Sequence, residues 1–208
     1  MRLAAIVRVV GFFLLAAGVS AAQRYPILEV PVGFSFVNVH PAVSDFSSFN
    51  VFGGGGGVVY NVTPWIGIKA DLMGYTQGGK EFVSEGHEVL GPFSGNLFTY
   101  LFGLQVKKHS GKLQPFGEAL FGGAYANLYA NLCKVACGGM SGSNNGFAME
   151  YGLGLDVPIR KSIQFRPVEV DYLYTRLGAH VAQFFPFTTK SQNNFKYVAG
   201  VNFTFGGK

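Results

Sequence analysis

The chain has 208 residues, of which 49% are hydrophobic and only 13% charged, with a formal net charge of +5. Soluble domains carry about 25% charged residues, so this balance excludes an ordinary soluble surface and points to a membrane protein or a very buried one. No mature segment supplies the roughly 18 consecutive apolar residues of a spanning helix, which leaves a closed β-barrel as the structure that satisfies its backbone in lipid.

Arg2 and Arg8 open the chain, an apolar stretch runs from Val9 to Val19, and Ser20-Ala21-Ala22 follow. A positive start, a short apolar core and a small-residue cleavage site describe an export signal. Residues 1–22 are therefore read as a signal peptide and 23–208 as one barrel domain. Beyond the signal no basic run exceeds two residues (Lys107-Lys108 and Arg160-Lys161), too weak and scattered for a nucleic-acid partner.

Eight segments of β character follow: 27–39, 50–62, 65–76, 96–109, 112–126, 146–159, 162–175 and 194–205. Each is long enough for a tilted strand to cross a bilayer, which takes about 9–11 residues. Their connections alternate. Thr63-Pro64, Ser110-Gly111 and Arg160-Lys161 are tight turns, whereas 41–49, 77–95, 127–145 and 176–193 are long and rich in Gly, Ser, Asn and Pro. Short turns at one end and long loops at the other mark an all-β, eight-stranded antiparallel transmembrane barrel, an up-and-down meander with the turns in the periplasm.

Alternation inside the segments supports this reading. In the last one, Phe195, Tyr197, Ala199, Val201, Phe203 and Phe205 fall on one face; Asn194, Lys196, Val198, Gly200, Asn202 and Thr204 fall on the other. The fourth and sixth behave alike, giving each strand one lipid-compatible face. The seventh changes phase at Pro167. A bulge there restores a single outer face and lets Arg166, Glu169 and Asp171 all point inward. The run Gly53–Gly57 lacks the Lys-Ser/Thr of a phosphate loop and reads as a strand whose missing side chains make room for neighbours. Trp65, Tyr75, Tyr100, Tyr172, Tyr174 and Tyr197 are expected in the interfacial girdles.

With the strands laid out, the chain resembles the small outer-membrane barrels of the OmpA/OmpX-like (porin-family) superfamily. The closing segment, residues 197–205 (YVAGVNFTF), resembles the family's C-terminal β-signal, with Tyr197, Val201, Phe203 and Phe205 as its apolar positions; here Gly206-Gly207-Lys208 follow. The segment 166–175 (RPVEVDYLYT) resembles a penultimate strand. The resemblance implies outer-membrane lipids and the barrel-assembly machinery as partners, in the outer membrane of a Gram-negative-type bacterium. It implies no cofactor.

The expected lumen gathers Glu29, Lys69, Asp71, Lys107, Glu118, Glu150, Asp156, Arg166, Glu169, Asp171 and Lys196. Charges in a low-dielectric space must be paired or hydrated, and eight strands enclose little more than their own side chains. An ion-pair network is expected, with Arg166 as central cation held by Glu150, Glu169 or Asp171, because its planar fork suits two-sided carboxylate pairing. Cys133 and Cys137, in the third long loop, are expected to form a disulfide in the oxidising compartment. Its loop is short, so its entropic contribution falls below the usual range of about 2–4 kcal/mol. No metal site is expected. His40, His87, His109 and His180 are scattered; His180-Val181-Ala182 lacks the serine of a hydrolase pair and His109-Ser110 splits it across faces, so no catalytic residue is assigned. Phe184-Phe185-Pro186-Phe187 forms an apolar loop cluster for the outer leaflet or a partner. The functional expectation is a structural or surface-interaction barrel displaying four loops to an extracellular ligand or partner. The alternatives are a small porin-like channel, a lipid A-modifying enzyme and a soluble lipocalin-like carrier.

Overall fold

A computed structural model describes residues 25–40, 48–83, 89–127, 144–176 and 191–207; the signal segment, Cys133, Cys137 and the 184–187 cluster lie outside the described residues. Eight antiparallel strands close into a barrel in chain order. They are β1 (Leu28–Val39), β2 (Phe49–Asn61), β3 (Ile66–Val83), β4 (Val89–Lys107), β5 (Gln114–Ala126), β6 (Asn144–Arg160), β7 (Ile163–Arg176) and β8 (Gln192–Phe205). Closure runs through β1 and β8, from Leu28 opposite Phe205 to Asn38 opposite Phe195. Every strand thereby has two partners and the sheet has no edge.

Two connections depart from the sequence reading. The ladder of β3 and β4 continues to Val83 opposite Val89, with irregular register between Gln77 and Phe82. Much of the expected second loop, 77–95, is therefore hairpin: its Gly and Pro residues suggest loop, but Phe82-Val83 and Val89-Leu90 supply apolar residues on both sides of the ladder. The β4–β5 connection spans 108–113, longer than the Ser110-Gly111 turn. Gly111 takes a positive φ of 90° there, a conformation open to glycine at little steric cost.

The faces follow the two-residue period. Phe34, Leu72, Phe102, Leu104, Tyr151, Leu153, Tyr172 and Phe195 all point outward; Leu153 is 72% exposed. So extensive an apolar exterior has no place in water and suits contact with lipid. At Pro167 the register of β7 against β8 shifts between Arg166 and Glu169, and Arg166, Glu169 and Asp171 are all buried. Tyr75 departs from the expected girdle: it is 3% exposed and points into the barrel, because it continues the inward parity of Lys69, Asp71 and Met73. Tyr100 and Tyr172 face outward, their hydroxyls bonded to Asn145 and Asn193.

Val37, Val51, Tyr75, Leu97, Leu120 and Leu173 belong to one buried apolar cluster. It meets the interior charges directly: Val37 lies opposite Lys196, and Leu120 and Leu173 lie on either side of Glu150. Glycines let the walls approach. A Cβ on Gly53 would lie 2.7 Å from the Cα of Tyr75 on β3, and one on Gly54 would lie 2.8 Å from the Gly33 carbonyl oxygen on β1, so the run leaves no room for side chains against either neighbour.

Candidate functional site

Strand parity sends polar residues of all eight strands into one column, with β2 contributing Asn61 at its turn end. At the turn end, Glu29 on β1 receives Lys107 Nζ at 2.5 Å and His109 Nε2 at 2.7 Å. Asn61 and Asn202 donate to the same carboxylate. The other ring nitrogen of His109, Nδ1, donates to the Pro64 carbonyl oxygen at 2.7 Å. This histidine follows β4, but its side chain is only 3% exposed. It was assigned no lumen role from sequence, and the structure places it in the network. Lys107 also meets Asp156 Oδ2 at 2.7 Å and the Gln164 side-chain oxygen at 2.8 Å.

Asp156 passes the chain to Arg166, whose Nε and Nη2 grip both its oxygens at 2.8 and 3.0 Å. Arg166 Nη1 donates to Glu169 at 2.5 Å, and the guanidinium carbon lies 4.2 Å from the centre of the Phe116 ring. The two-sided pairing is there: Glu169, one of the three carboxylates offered by the sequence, takes one side, and Asp156 takes the other. Glu150 and Asp171 instead share Lys196, at 2.7 and 3.0 Å. The reason is register: Asp171 lies opposite Lys196 on β8, whereas the bulge carries Arg166 toward the turn end, level with Asp156.

Lys69 completes the middle layer, 2.7 Å from Glu118, 3.4 Å from Asp71 and 3.7 Å from Glu169. Gln105 donates to the second Glu118 oxygen at 3.0 Å. One run of contacts therefore links His109, Glu29, Lys107, Asp156, Arg166, Glu169, Lys69 and Glu118, with the Lys196 cluster beside it. Glu118, Glu150, Glu169 and Asp171 bring one oxygen each within 4.8 Å of one another, close enough to hold a metal ion. Lys69, Arg166 and Lys196 already supply positive charge there. The void among Lys69, Asp71, Arg166, Glu169 and Lys196 is about 20 Å³, the space of one water. At the turn end a cavity of about 840 Å³ opens below His109, Gln114 and Gln164, with Arg160 and Lys161 on its lip.

The β-signal positions Tyr197, Val201, Phe203 and Phe205 lie on the outward parity of β8, with Tyr197, Phe203 and Phe205 exposed. Tyr197 donates its hydroxyl to the Pro167 carbonyl oxygen at 2.7 Å, across the seam that the β7 bulge opens.

No family model and no curated protein matches the sequence. Solved structures match the fold. Neisserial surface protein A is 10% identical with a TM-score of 0.61, covering 88% of this chain and 100% of its own. The attachment invasion locus protein Ail of Yersinia pestis is 14% identical with a TM-score of 0.50, covering 86% of this chain and 97% of its own. In complex with the heparin analogue sucrose octasulfate, Ail matches at 15% identity and a TM-score of 0.53, with the same coverage. The fold is that of the eight-stranded outer-membrane β-barrels.

Proposed function

We propose that this chain is a non-conducting outer-membrane barrel whose work is done by its loop end, as a surface-interaction or structural protein. The observation that carries this reading is the filled interior. An ion moving along the axis would have to break the Lys196, Lys69 and Arg166 pairs and pass the apolar side chains of Val37, Val51, Leu97, Leu120 and Leu173 buried beside them. Transfer of a bare charge into such an interior costs far more than thermal energy. The fold relatives are, by name, a surface protein and an attachment invasion protein, which fits a role for the loops. The closing strand β8 is read as the segment handed to the assembly machinery.

An enzymatic reading draws no support from the best-placed histidine. Both ring nitrogens of His109 are engaged, by Glu29 and by the Pro64 carbonyl, and no serine, threonine or cysteine side chain bonds to it among the described residues. Single-channel recording of the purified barrel in planar bilayers tests the proposal. The expected trace is silent; a steady, reproducible conductance overturns the non-conducting reading.

A further inference from the structure

Among the described residues, the exposed charges of this barrel are of one sign. Every carboxylate whose side chain is described is buried: Glu29, Asp71, Glu118, Glu150, Asp156, Glu169 and Asp171. Among the described residues the exposed charged side chains are all cations, and four of the five lie at the turn end: Lys108, Lys112, Arg160 and Lys161, with Arg176 at the other. Lys108 and Lys112 sit on the 108–113 connection, Arg160 ends β6 and Lys161 opens the 161–162 turn, so the four flank one strand pair. β5 and β6 are hydrogen-bonded neighbours, with Gln114 opposite Asp156, so both basic turns emerge side by side on one arc of the rim. Leu113 and Ile159, 58% and 63% exposed, lie among the cations. The β2–β3 turn holds no charge, only Val62, Thr63, Pro64 and Trp65.

We propose that this arc is a binding surface for the phosphate headgroups of anionic phospholipid in the leaflet that the turn end reaches. The inference rests on the membrane-embedded reading above. The chemistry is complementary on both counts. Leu113 and Ile159 meet acyl chains at the boundary, while the lysine and arginine stems run along the apolar wall and carry their charge to headgroup level. No carboxylate on that rim competes for them among the described residues. Paired basic residues on adjacent turns suit a phosphodiester that accepts from two donors at once.

Trp65, the one tryptophan of the chain, is a built-in reporter, because its carbonyl oxygen accepts from Lys107 N–H at 2.9 Å, next to Lys108. The full barrel is refolded into phosphatidylcholine vesicles with a minor fraction of phosphatidylglycerol, and bromine is placed on the acyl chains of one lipid or the other. At low salt, phosphatidylglycerol is expected to quench Trp65 about fivefold beyond its share of the bilayer, the ratio one engaged cation supplies. The excess should fall as added salt screens the attraction, and vanish in K108Q/K112Q/R160Q/K161Q. Equal quenching by both lipids in the native barrel at low salt overturns the proposal while leaving the membrane reading intact, and this result does not depend on the variant folding. Absence of quenching by either lipid overturns both. Inorganic phosphate that removes the excess better than chloride of equal ionic strength assigns the arc to a soluble anion and overturns the lipid proposal.

Discussion

Lys196 is the side chain whose loss the interior should tolerate least. Its ammonium is fully buried and is the only cation within 4 Å of either Glu150 or Asp171 among the described residues. Neither Glu150 Oε2 nor Asp171 Oδ1 accepts a hydrogen bond, so no other donor shares the burden. Lys196→Met keeps most of the side-chain length and removes the charge, leaving two carboxylates without a counter-ion. Breaking a buried pair in this way costs about 3–5 kcal/mol, because the surviving charge has lost both water and partner. The assay is equilibrium urea unfolding of the barrel in phospholipid vesicles, followed by Trp65 fluorescence and by the heat-dependent gel migration of folded barrels. The triple variant K196M/E150Q/D171N should recover most of the loss, since neutral amides carry no charge-solvation penalty and can bond to each other. A loss below about 1 kcal/mol in the single variant would refute the reasoning: it would mean that water enters the lumen and solvates the carboxylates, and the case for a closed interior would go with it.

The same unfolding assay tests three further sites. Gly53→Ala should cost about 1–3 kcal/mol by overpacking, because the new Cβ meets the backbone of Tyr75 at 2.7 Å rather than a yielding side-chain tip; an unchanged urea midpoint would show that β2 and β3 are not held so close. His109→Ala should cost about 1–3 kcal/mol, the penalty for leaving a buried acceptor with fewer donors, since Glu29 and the Pro64 carbonyl both lose a bond. In L120A/L173A each truncation should cost about 2–5 kcal/mol; both residues are fully buried beside Glu150, so a barrel that survives should show conductance events that the native protein lacks. Phe205→Ala should lower the amount of folded barrel recovered from cell membranes while leaving refolding in detergent intact, because its ring is half exposed on the outer wall and supports no interior contact.

The architecture was legible because a membrane barrel writes its environment into every second residue. Phe98, Tyr100, Phe102, Leu104 and Val106 announce lipid on one side of β4, and Gln105 and Lys107 announce the interior on the other. Pro167 in an otherwise alternating run marked the bulge, because a proline cannot donate to the ladder and the apolar parity changes around it. Parity does not give height along the axis. Height decides which inward charges meet, and it depends on strand tilt and register accumulated across the sheet. Of the three carboxylates that parity offered Arg166, the register brings it Glu169, while Glu150 and Asp171 go to Lys196 and Asp156 takes the other side of the guanidinium. The same gap hid the contact between apolar and charged side chains: the register, not the parity, sets Val37 opposite Lys196 and puts Leu120 and Leu173 on either side of Glu150. His109 escaped for a related reason. Two residues beyond the end of β4 its parity carries no information, and the fold of the 108–113 connection tucks its ring back against Glu29. A histidine at a strand end is thus read best from what lies opposite it across the barrel mouth, where Glu29 needs donors that its own strand neighbours, Leu28 and Val30, cannot supply.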